Sequence, residues 1–102
     1  MSKNSWSSIY KRSENIVSRD IAGETILVPI RGKLADMQNI FTLNGVGVYI
    51  WDHLDGKRSL TEILDLLLDH FEVSKLEAEQ DILEFIDQIT KTGLASINDN
   101  HA

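Results

Sequence analysis

Proton transfer near neutral pH falls most readily to histidine, and this sequence has three, His53, His70 and His101. None stands at a chelating interval from another. Cysteine is absent, which removes a thiolate zinc site, a cysteine-ligated iron–sulfur cluster, a disulfide and a thiol nucleophile. Asp52 precedes His53 and Asp69 precedes His70, but adjacent helical residues do not face each other, so neither couple is an oriented acid–base pair. Both read as surface histidines near helix ends, and His101 as part of a polar tail. Gly45-Val46-Gly47 lacks the Lys-Ser/Thr of a phosphate loop and the third glycine of a dinucleotide fingerprint. Glycine there more simply lets a helix pass close to a sheet. Ser5-Trp6-Ser7-Ser8 has no histidine base in a recognisable setting. With no catalytic constellation, the chain is expected to be neither an enzyme nor a holder of metal or cofactor.

The elements around these residues must fit one domain, since 102 residues with 42% hydrophobic content build a single core. The net charge of -6 and pI near 4.9 oppose binding to phosphate backbones and anionic membranes. That charge is segregated: residues 1–33 hold six basic and three acidic side chains, residues 34–102 four basic and thirteen acidic. Apolar runs stop at four or five residues, as in Ile26 to Ile30, far short of the roughly 20 that cross a bilayer. No signal-peptide pattern opens the chain, so a cytoplasmic protein is expected. Polar, aperiodic ends predict a flexible tail over 1–14, a folded unit over 15–97 and a flexible tail over 98–102.

From Ile16 to Leu43 the residues favour strands: Ile16-Val17-Ser18, Thr25 to Val28 ending at Pro29, and Gln38 to Leu43, with Gly23 turning the first into the second. The period then changes. Asn44 can cap a helix from Gly45 to about Leu54, and Asp55-Gly56 reads as the turn that ends it. Ser59-Leu60-Thr61-Glu62 and Ser74-Lys75-Leu76-Glu77 both have capping-box spacing, and Gly93 offers a left-handed stop to the third helix. Leu94 to Ile97 either adds a short strand or packs back on the core. The expected fold is α+β and winged-helix-turn-helix-like, a three-stranded antiparallel sheet followed by three helices. Trp51, Phe71 and Phe85 fall on apolar stripes and read as core. Trp6 and Tyr10, in polar surroundings, need either a groove on the domain or a partner.

The third helix carries the clue that packing alone does not absorb. At about 100° per residue its core stripe of Ala78, Ile82, Phe85 and Ile89 is widened on one side by Leu76, Leu83 and Ile86, edged by Glu79, Gln80 and Asp87. Glu77, Asp81, Glu84 and Gln88 occupy the other flank. The apolar shoulder either packs on the second helix or the sheet, or forms the wall of a groove beside an open strand edge, where an extended peptide would fit.

An ordered set of segments, Ile16-Val17-Ser18-Arg19, Gly23 to Val28, Leu43-Asn44-Gly45-Val46-Gly47, Ile50-Trp51, Leu54-Asp55-Gly56, Asp81 to Ile86 and Gly93-Leu94, resembles the PqqD family over about residues 12–97. The resemblance implies a small winged-helix-type domain that binds the leader of a ribosomally made precursor peptide and presents it to a modifying enzyme, often a radical S-adenosylmethionine protein, as in pyrroloquinoline quinone biosynthesis. It further implies that the leader adds as a strand along the third strand, against the third helix. Carried onto this chain, the edge is Gln38, Asn39, Ile40, Phe41 and Thr42, and the wall is Leu76, Glu79, Gln80, Leu83, Ile86 and Asp87. The N-terminal extension and the lengthened Pro29 to Lys33 connection depart from the family pattern and leave the particular pathway open.

Two other readings use the same scaffold. A winged-helix DNA-binding regulator would need a basic recognition helix, whereas Ser74 to Thr92 has a net charge of -3. An oligomer-forming subunit would pair the open strand edge with its own copy, giving a homodimer.

Overall fold

The computed structural model describes residues 6–30 and 41–98. Two small antiparallel sheets flank three helices. The first sheet joins β2 (Ile16–Ile21), β3 (Glu24–Pro29) and β4 (Phe41–Leu43) in that order. The helices are α1 (Gly45–Asp52), α2 (Leu60–His70) and α3 (Lys75–Lys91). The second sheet is built around β1 (Ile9–Arg12), with β5 (Asp55–Ser59) on one side and β6 (Ala95–Ile97) on the other.

The β2–β3 hairpin closes at the Ile21–Glu24 pair with Ala22 and Gly23 at φ 54° and 85°, the two positive values of a type I′ turn. Pro29 pairs with Ile16 at the end of β3, past the described residues of β4, so among the described residues its missing amide hydrogen interrupts no β3–β4 ladder. Period-two burial sends Ile16, Leu27 and Leu43 into the core. There they meet Ile50, Trp51, Leu67, Ile82 and Ile89 from the helices.

All three predicted N-caps are present, and of the two expected capping boxes the reciprocal bond is made at Ser59 and Glu62. Asn44 Oδ1 accepts the Gly47 amide at 2.7 Å, Ser59 and Glu62 form the reciprocal box at 3.2 and 2.8 Å, and Ser74 Oγ accepts the Glu77 amide at 3.1 Å. Gly93, at φ 81°, ends α3: its amide bonds to Thr90 O and that of Leu94 to Ile89 O at 2.9 Å, a Schellman arrangement.

Two expectations are corrected. Helix α1 stops at Asp52, and Asp55-Gly56 opens β5 instead of a turn. Gly56, at φ 78°, sits where the β1–β5 register shifts by two residues, so the residues read as a turn make a bulge. The stretch read as a flexible N-terminal tail contains the central strand of the second sheet. Trp6 and Tyr10 find their groove on the domain itself, packed against the core. Trp6 O and Ser8 O accept the Thr61 and Leu60 amides at 2.9 and 3.0 Å, satisfying first-turn donors of α2 that the helix cannot satisfy internally. Composition did not show this because β1 is short, its Lys11 and Arg12 are charged and exposed, and its partners lie more than 40 residues away.

Candidate functional site

Strand β4 is an edge. Leu27, Ile26 and Thr25 of β3 pair with Phe41, Thr42 and Leu43, and among the described residues no strand occupies the other side. The edge is short and irregular in composition, but it is held against α3: the Phe41 ring meets Phe85 edge-on, with centroids 6.3 Å apart at 76°. Phe85 also touches α1 where the chain has no side chain. A Cβ on Gly47 would stand 3.5 Å from Phe85 Cε1, 3.6 Å from Leu43 Cβ and 3.3 Å from Asn44 Oδ1. Strand β4, the cap of α1 and the middle of α3 thus converge on one aromatic ring.

Beside that ring lies a hollow of about 140 Å³. One side is Asn44, Val46, Gly47 and Ile50 from α1, and the other is Asp81, Glu84, Phe85 and Gln88 from α3. Among the described residues neither Asp81 nor Glu84 makes an ion pair; the salt bridges are Arg58 to Asp55 and Lys91 to Asp87.

Of the residues expected at the edge, Phe41 is half-buried and Thr42 exposed in β4, while Gln38, Asn39 and Ile40 lie outside the described residues. The expected wall is divided. Ile86 is 6% exposed and belongs to the core. Leu76 and Leu83 are 66% and 38% exposed, so packing does not cover the shoulder. Glu79 is half-buried, Gln80 is exposed, and the exposed Asp87 carboxylate pairs with Lys91 at 3.1 Å. Two residues along a helix rotate a side chain by about 200°, so Leu83 stands roughly 160° from Phe85, whose ring meets Phe41 of β4. The flank that borders the hollow is instead the one carrying Asp81, Glu84 and Gln88. A helical wheel marks those three as a polar face and cannot say what stands opposite; the available signal was Phe85, the stripe residue nearest to them.

His53 and His70 belong elsewhere. Both rings pack on Tyr49, with centroids 4.4 and 4.6 Å away, and His53 Nδ1 donates to the Tyr49 carbonyl at 2.7 Å. Among the described residues no cluster of histidine and acidic side chains is arranged to hold a metal ion, and no helix is long and apolar enough to cross a membrane.

No curated protein sequence matches this chain. A solved structure described as TbiB1 in complex with the TbiA(beta) leader peptide matches it with a TM-score of 0.66 and 25% identity, covering 90% of this chain and 98% of that one. The family profile described as coenzyme PQQ synthesis protein D matches residues 24–95, the span from β3 to the start of β6 that contains the edge, the hollow and all three helices. With most of its length inside that profile, the chain belongs to the PqqD family.

Proposed function

We propose that this protein binds the leader of a ribosomally made precursor peptide as an added strand on β4 and presents it to a separate modifying enzyme, without catalysing a reaction itself. The observation that carries this reading is the β4 edge, unpaired among the described residues and set against α3 through Phe41 and Phe85. Strand addition uses main-chain hydrogen bonds for affinity and alternate side-chain positions for selection, so it needs no reactive group. TbiB1, which shares the fold, is described with a leader peptide bound.

In this reading the peptide's inward side chains meet Phe85, Asp81, Glu84 and Gln88, and the shoulder of Leu76, Glu79, Gln80, Leu83 and Asp87 lies on the far flank of α3, outside the peptide's path. The receiving enzyme is of the radical S-adenosylmethionine type, the partner associated with the family, and both work in the cytoplasm.

The test is calorimetric titration with the N-terminal part of a short peptide encoded next to this gene, together with hydrogen exchange. A Kd in the micromolar to sub-micromolar range, about -8 to -10 kcal/mol, suits an interface below the standard size. Peptide should slow exchange at the β4 amides of Phe41 to Leu43. Binding without that protection refutes strand addition, and failure to bind refutes the reading. Leu83→Asp and Glu84→Lys assign the flank: the second should weaken binding at least tenfold and the first should not.

A further inference from the structure

The hollow beside Phe85, between α1 and α3, joins an apolar floor to charge that no described cation compensates. Val46, Ile50 and Phe85 supply the floor, and Ile50 and Phe85 are 0% and 8% exposed. Asp81 and Glu84, one turn apart on α3, supply two carboxylates that no described cation neutralises. Like charges at this spacing repel, so the pair gains from a cation that none of the described residues provides. The N-terminal end of α1 also borders the hollow, and its dipole contributes roughly half a positive charge, too little to cancel two carboxylates. Asn44 Oδ1 is already committed to the Gly47 amide, which further reduces the attraction of that end for an anion.

The dimensions favour one side chain. An apolar cavity of about 150 Å³ accepts a benzene-sized guest of six heavy atoms, and this hollow measures about 140 Å³. Lysine has five side-chain heavy atoms and arginine seven. Each has an apolar stem that can lie on a hydrophobic surface while its charged head stays polar and partly wet. Position matters as much as size: Leu43 is the last residue of β4 and Asn44 the first residue of the hollow, so a strand added to β4 ends at its mouth.

From a β4 edge that no described strand pairs, ending at an acidic, apolar-floored hollow, we propose that this hollow is a specificity pocket for one lysine or arginine side chain of the bound peptide. The stem lies on Phe85 and Val46, and the head sits between Asp81 and Glu84 with Gln88 as an additional acceptor. The absent side chain of Gly47 keeps the pocket open, because a Cβ there would stand against both Phe85 and the Asn44 cap. The proposal rests on the peptide-binding reading above and names the feature of the peptide that the site selects.

The test is selection from a random dodecapeptide library displayed on messenger RNA, against the full chain and against the Asp81→Asn/Glu84→Gln double variant. A cooperative thermal melt confirms that the variant is folded. The expected result is an enriched motif with a lysine or arginine at one fixed position among alternating apolar residues, and loss of that position with the variant. A synthetic peptide from the selection should lose at least tenfold in affinity when its basic residue becomes norleucine, and Glu84→Lys should turn the preference toward glutamate. An enriched motif with no basic position, or one that survives in the double variant, overturns the pocket and leaves peptide binding standing. No enrichment at all overturns both.

Discussion

Ala22 occupies a backbone conformation that suits glycine or asparagine better. A non-glycine residue in the left-handed region costs on the order of 1–2 kcal/mol, and Ala22 is the described non-glycine residue with positive φ. Ala22→Asn is therefore expected to raise the urea midpoint, by up to about 1 kcal/mol of stability, with no change in the denaturant slope. Leu27, fully buried at the centre of the first sheet, behaves oppositely: Leu27→Ala should cost about 2–5 kcal/mol, a large part of the stability of a domain this size. Asp55 couples pH to the start of β5. Burial opposes its ionisation, but the Lys57 and Arg58 amides and the Arg58 guanidinium outweigh that effect and hold its carboxyl below the usual value. A depressed folded pKa contributes stability above the unfolded value of about 4 and loses it as pH falls through the folded value. The Lys57 and Arg58 amide resonances should accordingly move below pH about 4 and remain still above pH 5.

At the scale of elements, β1 carries more than its four residues, Ile9 to Arg12, indicate. It is the middle strand of the second sheet, and the segment leading into it caps α2. Removing residues 1–12 would leave β5 and β6 without a shared partner and two α2 amides without acceptors. The truncated chain should lose its cooperative melt, and a milder change, Trp6→Ala, should speed hydrogen exchange at the Thr61 amide. Most of α3 was legible in the sequence because period, cap and stop coincide: Ala78, Ile82, Phe85 and Ile89 are buried, and Ser74 and Gly93 bound the helix. Its relation to β4 was not legible, since a helical wheel orders side chains around one axis and is silent about which flank another element approaches.

Over the whole molecule the separation of charge governs encounters. The acidic half, residues 34–102, contains α3 and the hollow, so a basic peptide is steered toward the site and an anionic polymer is repelled from it. Stopped-flow association with a lysine-containing peptide should slow several-fold as salt is raised and the screening length falls from about 10 Å at 0.1 M toward 3 Å at 1 M. Duplex DNA should not be retarded in a gel even at low salt, because α3 has a net charge of -3 where a recognition helix needs cations.

What the residues determined unaided was local: caps, stops, periods, the absence of thiol chemistry and the ordered motifs that place the chain among its relatives. Each depends on side chains a few positions apart, whose geometry the backbone dictates. Tertiary structure alone decided that β1 joins β5 and β6, that Phe85 is the contact between α3 and β4, and that Asp81 and Glu84 share a hollow with the cap of α1. Those juxtapositions bring together residues roughly 40 positions or more apart, and they are selected by how apolar faces fill a common core, a property of the packed molecule that no short window of sequence contains.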